Sequence, residues 1–152
     1  MKHKILFSTL FFAFTLASAQ DVAGKVPPAV TDSLPFRGTF YCEEQGITLR
    51  LDLYGDGLDV PDYPFLGKTG GYMTGDTQER LYGTWFLLSH KINANKAVLR
   101  MSNDIGSDAQ TIEFTSLPDG TFAYRATGGN EVKRAVRRKL YKVVAEMVFR
   151  RK

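Results

Sequence analysis

The sequence predicts an all-β fold, an antiparallel meander of short strands that closes or nearly closes into a small barrel. Two observations carry this prediction. Apolar and polar residues alternate along several short runs, most clearly at Ile47-Thr48-Leu49-Arg50-Leu51-Asp52-Leu53, which is the two-residue period of a strand with one buried face. The connections between runs are short and rich in Gly, Asp, Asn and Pro, as at Gly55-Asp56-Gly57 and Pro118-Asp119-Gly120, the residues that tight turns require. Short, alternating, turn-separated segments are the pattern of a barrel or meander.

The chain opens with a leader. Lys2 and Lys4 precede an apolar run from Ile5 to Leu16, and Ala17-Ser18-Ala19 follows, the small-x-small pattern that signal peptidase cleaves. Residues 1–19 are therefore expected to be a signal peptide and the protein to be exported. The alternative, a signal anchor, needs roughly 20 apolar residues to span a bilayer, more than this run supplies. Ala19, Gln20 and Asp21 stand where a lipoprotein would carry its acylated cysteine. Removal of the leader leaves 133 residues, enough for one domain with its own core.

Residues 20–35, with Pro27, Pro28 and Pro35, lack any apolar period and read as an extended spacer. The barrel domain is expected over residues 36–144. Phe36, Gly38, Phe40 and Cys42 share one face of a first strand, and Glu43-Glu44-Gln45-Gly46 turns it into the Ile47 strand. Residues 58–77 read as an edge strand or loop, because Pro61 and Pro64 cannot donate to a ladder and Gly67, Gly70, Gly71 and Gly75 weaken one. Strand character returns over 80–88, stops at Asn93-Ala94-Asn95-Lys96, and resumes over 97–101, 111–117 and 121–127. The run from Lys133 to Val144 is open to two readings, a last strand or a short C-terminal helix, and residues 145–152 read as a basic tail.

Charge is unevenly placed. Residues 20–130 carry 9 Lys/Arg against 14 Asp/Glu, whereas residues 131–152 carry 9 against 2. The positive balance of the chain therefore belongs to its end. Arg150, Arg151 and Lys152 are the candidate contacts to an anionic membrane surface or an envelope protein. Nucleic acid is not an expected partner of an exported protein, although such a tail would bind phosphate unspecifically.

In order along the chain, Phe36-Arg37-Gly38-Thr39-Phe40-Tyr41-Cys42, Gly46 to Leu53, Gly83-Thr84-Trp85, Phe122 to Ala126 and Lys139-Leu140-Tyr141-Lys142-Val143 resemble the N-terminal domain of NlpE-type bacterial envelope proteins. The resemblance covers roughly residues 36–144 and implies a lipocalin-like β-barrel, a place in the cell envelope and a part in envelope stress sensing; together with the leader this puts the expected location in the periplasm, at the outer-membrane periphery or outside the cell. It also implies that Arg138 to Val144 is the closing strand. Members of that family carry a Cys-x-x-Cys pair before the Gly-Ile of the second strand, but here Cys42-Glu43-Glu44-Gln45 replaces it. The copper and redox roles attached to the pair therefore do not carry over. Gly83-Thr84-Trp85 also resembles the lipocalin Gly-x-Trp, with the indole as a barrel-end plug and Arg137, Arg138 or Lys139 as the cation laid across it.

Chemistry finds little purchase. One cysteine allows no internal disulfide, and Cys42, on the face of Phe36 and Phe40, reads as a small core residue rather than a reactive thiol. His90 is the only histidine after the leader, and its neighbour Ser89 points to the opposite face of a strand, so no triad is expected. Asp52, Asp56, Asp59 and Asp62 bracket a glycine turn without the EF-hand spacing and read as a solvated loop. No metal or other cofactor is expected, and no enzyme. The aromatic residues Phe40, Tyr41, Trp85, Phe114, Phe122 and Tyr124 either fill the barrel or line a cavity for a lipid or other apolar small molecule. The expected function is a non-enzymatic envelope barrel that binds a ligand or senses envelope stress, with surface interaction through the basic end as the alternative.

Overall fold

A computed structural model describes residues 34–76 and 81–152; the leader and almost all of the spacer lie outside the described residues. The described chain forms twelve strands: β1 (Arg37–Cys42), β2 (Ile47–Asp52), β3 (Leu58–Asp59), β4 (Lys68–Thr69), β5 (Gly71–Gly75), β6 (Trp85–Asn93), β7 (Lys96–Asn103), β8 (Ala109–Ser116), β9 (Thr121–Thr127), β10 (Lys133–Val136), β11 (Lys139–Lys142) and β12 (Glu146–Arg151). Eight of them close a barrel in the order β1-β12-β9-β8-β7-β6-β5-β2, every pair antiparallel. Full closure removes the open sheet edges that would otherwise template aggregation.

The alternation read from the sequence sets the inside. Ile47, Leu49 and Leu51 are buried while Arg50 is exposed, and Leu49 lies opposite Phe40 on β1 and Met73 on β5. The interior is filled by rings in contact. Phe40 meets Phe122 at 4.6 Å and Phe114 at 5.2 Å edge-on, Phe114 stacks on Phe122 at 5.3 Å, and Phe149 meets Phe114 at 5.7 Å. Such pairs contribute about 0.5–1.5 kcal/mol each beyond their buried area.

Two hairpins are added to the barrel. β3 and β4 pair with each other after β2, and the loop they enclose, with a single 3₁₀ turn at Pro64–Leu66, lies on the outer wall, where the Tyr63 ring meets Phe86 edge-on at 5.1 Å. β10 and β11 form the second two-stranded sheet between β9 and β12.

Three expectations are corrected here. The barrel does not end at Val144: residues 146–151 are not a tail but its closing strand, pairing with β9 along five positions and with β1 at Phe40↔Arg151 and Tyr41↔Arg150. Their inward residues, Met147 and Phe149, are buried, so the barrel needs them to complete its interior. The Lys133–Val144 run is neither a helix nor, as the NlpE-type resemblance implied, the closing strand; it is the added hairpin, and the described residues contain no α-helix. The glycine-rich region over 58–77 contributes a true barrel strand, β5, in which Gly71 leaves room for the neighbouring strand: a Cβ there would lie 2.6 Å from the Arg50 carbonyl oxygen.

Candidate functional site

Five of the six aromatic candidates, Phe40, Trp85, Phe114, Phe122 and Tyr124, point into the barrel and are buried. They pack against one another and against Leu99, Met101 and Ile112 in one core. Tyr41 faces outward, and the Lys152 ammonium sits 3.8 Å from the centre of its ring. Two polar atoms of the interior set, Trp85 Nε1 and Tyr124 Oη, are buried without a hydrogen-bond partner. Burial pushes the Tyr124 phenol well above its ordinary range, which keeps it neutral.

Among the described residues no cation, Arg137, Arg138 and Lys139 included, lies over the Trp85 indole; the cation that covers a barrel end is Arg151. Its guanidinium lies 5.4 Å from the Phe40 ring centre and 5.5 Å from that of Phe122, and it donates to the Pro35 carbonyl at 2.6 Å. By strand direction this is the end opposite Trp85. Of the three terminal cations predicted to meet a partner, Arg151 and Lys152 are thus engaged with rings of the barrel itself, and Arg150 stands on the wall between Thr121 and Tyr41.

Cys42 is 1% exposed and free, and burial raises its thiol pKa, with Glu44 adding in the same direction. Among the described residues, no three His, Cys, Asp or Glu side chains gather as a metal-binding group. Asp52 accepts from the Arg37 guanidinium at 2.8 Å and from the Tyr54 and Gly55 amides, which ties down the turn after β2.

The densest run of positive charge lies on the β10–β11 hairpin, where Lys133 and Lys142 pair with acids outside it, Asp108 and Glu131. Its root is fixed to the barrel. The Tyr82 amide donates to the Lys133 carbonyl and the Val143 amide to the Val132 carbonyl, Lys133 Nζ is 3.3 Å from Asp108, and Arg134 donates to the Gln45 side chain at 2.9 Å. Beyond the root, Ala135 through Lys142 are exposed. Residues 133–142 hold six Lys/Arg and no Asp or Glu. Among the described residues, none is an ion-pair partner of Arg137, Arg138 or Lys139. Val136, Leu140 and Tyr141 are 40%, 49% and 51% exposed beside these cations.

The tip is strained. Val136 pairs with Lys139, so Arg137 and Arg138 alone make the turn, at φ 48° and 65°. A two-residue turn with both centres left-handed ordinarily takes Asn-Gly, and the sequence carries no such signal here. Turn chemistry therefore does not announce the hairpin: its turn is spelled with two arginines.

A groove of about 540 Å³ runs over the outer wall of β8, β9 and β12, floored by Thr115, Ala123 and Val148 and rimmed by Glu44, Glu146 and the Lys96–Glu113–Arg125 ion pairs. A second, of about 460 Å³, lies between the Val60–Tyr63 loop and Thr48, Arg50 and Thr74. Both are outside the barrel.

Comparison of the chain with protein-family models, with curated proteins and with solved structures gives no match. The geometry of the hairpin and the grooves is what carries a functional reading.

Proposed function

We propose that the protein is a non-enzymatic interaction module of the cell envelope, in which a tightly packed barrel holds a cationic hairpin against a polyanionic surface. One observation supports this above all: the hairpin holds six cations and no acid in ten residues, and on a root clamped by Asp108 and Gln45 it presents Arg137, Arg138 and Lys139 exposed, with no ion-pair partner among the described residues. Clustered cations raise the local concentration of an anionic partner and speed encounter, in a salt-dependent way. The reading moves the interaction surface from Arg150, Arg151 and Lys152 to Arg137, Arg138 and Lys139. It takes the envelope setting, and a part in stress sensing as a downstream role, from the leader and from the NlpE-type resemblance; a closed barrel by itself does not single out that family.

The test is co-sedimentation with the host's envelope fraction across a salt series, comparing the unaltered protein with Arg137→Glu, Arg138→Glu, Lys139→Glu combined. Retention that falls with salt and is lost in the triple variant supports the reading. Equal retention of both proteins at every salt concentration overturns it.

A second reading, binding of an apolar small molecule, is favoured by the outer groove, whose Ala123 and Val148 floor is flanked by the ion pairs of Glu113 with Lys96 and Arg125. Native mass spectrometry of the protein as its host produces it detects such a ligand, and Val148→Arg removes it.

A further inference from the structure

We infer that the polyanion met by the hairpin is a bilayer leaflet containing anionic lipid, and that Val136, Leu140 and Tyr141 enter its interface among the surrounding cations. The inference rests on the reading above and names its partner.

The register gives the reason. Residues directly opposite across a strand pair share a face. One face of the hairpin therefore carries Ala135 opposite Leu140, followed toward the root by Lys133 opposite Lys142; the other carries Val136 opposite Lys139, followed by Arg134 opposite Tyr141. Each face thus sets apolar side chains beside basic ones, with Arg137 and Arg138 at the tip. A soluble polyanion or a nucleic-acid backbone rewards only the cations and leaves Leu140 and Val136 in water. An anionic leaflet rewards both: long basic side chains reach phosphates while their stems and the apolar neighbours settle below. Tyrosine with a wet hydroxyl and a dry ring belongs at that depth.

Length agrees with this. Beyond the fixed root, two residues per strand at about 3.4 Å each carry the turn roughly 7 Å outward, within the 5–10 Å to which interfacial segments bury their apolar side. The interior of the hairpin holds no core of its own, since both strands lie open from Ala135 to Lys142, so contact with lipid covers surface that nothing else in the described chain covers.

The experiment uses the protein as its host produces it, with three probes: vesicles of phosphatidylcholine alone, vesicles of phosphatidylcholine with phosphatidylglycerol, and heparin as a soluble polyanion. Binding is compared among the unaltered protein, Arg137→Gln with Arg138→Gln, Leu140→Ser with Tyr141→Ser, and Phe65→Ser, an exposed aromatic on the other insertion. The expected result is selective binding to the anionic vesicles, lowered roughly 25-fold by the arginine pair at about fivefold per charge, about tenfold by the Leu140 and Tyr141 pair, and unchanged by Phe65→Ser. A Tyr141→Trp reporter shifts its emission to the blue on those vesicles.

Three results overturn the inference. Salt-sensitive binding to heparin but to neither vesicle means a soluble or glycan polyanion, and leaves the interaction reading standing. Vesicle binding with no blue shift and no effect of Leu140→Ser with Tyr141→Ser means contact by charge alone. No salt-sensitive binding to any probe, together with unchanged retention of the triple variant by the envelope fraction, removes both the inference and the reading beneath it.

Discussion

The guanidinium of Arg151 lies over the ring of Phe40, 5.4 Å from its centre, at a point where the last strand of the barrel meets the first. A residue that reads by composition as part of a solvated tail is a structural clasp. Cation–π contact contributes on the order of 0.5–2 kcal/mol, and the hydrogen bond to Pro35 adds to it. Arg151→Ala is therefore expected to lower stability by about 1–2 kcal/mol in urea unfolding, while Arg150→Ala shifts it by less than about 0.5 kcal/mol. Equal effects of the two substitutions would return both to the status of surface charges.

The hairpin tip sets stability against binding. Arg137 and Arg138 hold left-handed backbone at a cost of roughly 1–3 kcal/mol each. Combining Arg137→Asn with Arg138→Gly relieves that strain, so amides of β10 and β11 should exchange with deuterium more slowly while retention by the envelope fraction drops. Faster exchange in the variant would refute the strained-turn geometry.

Inside the barrel, ring contacts and polar atoms make opposite predictions. Phe114 touches Phe36, Phe40, Phe122 and Phe149, so Phe114→Ala should cost about 3–5 kcal/mol. Tyr124→Phe removes an unpartnered buried hydroxyl and should be neutral or stabilising. Thermal unfolding of the two variants separates them; a loss in Tyr124→Phe would show that the hydroxyl has a partner in solution.

Acid should loosen the clasp between β1 and β2. The Arg37 guanidinium, with help from the Tyr54 and Gly55 amides, holds the Asp52 carboxyl below its ordinary value of 3.8. A depressed pKa contributes stability that is present above pH 3.8 and is lost as pH falls through the lower folded value. The unaltered protein and Asp52→Asn are thus expected to differ in urea midpoint at neutral pH and to converge below pH 3.8. A difference that persists unchanged in acid would mean that ionisation of Asp52 is not its source.

Cys42 offers a simple probe of the same barrel wall. It is 1% exposed and its thiol pKa is raised by burial, so a disulfide reagent should modify it at the rate of unfolding. Rapid labelling of the native protein would place the thiol at the surface.

The strands legible in the sequence are those whose alternation serves one buried face, such as β2 and β9, with a glycine or proline turn beside them. β5 is hidden because Gly71 and Gly75 look like breakers until the close approach of the Arg50 carbonyl explains the first of them. β12 is hidden by charge: Arg150, Arg151 and Lys152 outweigh Met147 and Phe149 in any reading by composition, although it is the latter two that face inward. The site is harder still. A left-handed turn made of two arginines leaves no mark in a search for Asn-Gly, and the exposure of Leu140 follows from the hairpin standing outside the barrel, which only the long-range pairing of β12 with β9 reveals.

That pairing also dictates an order of events. Because Phe40 and Tyr41 on the first strand find their partners in Arg151 and Arg150 on the twelfth, the barrel wall cannot be completed while any of the chain between them is still missing. Contacts so distant in sequence are made slowly and late, and until then the open flanks of β1 and β9 are exposed to other chains. The protein's vulnerable moment therefore lies before closure, and it ends only when residue 151 has paired with Phe40.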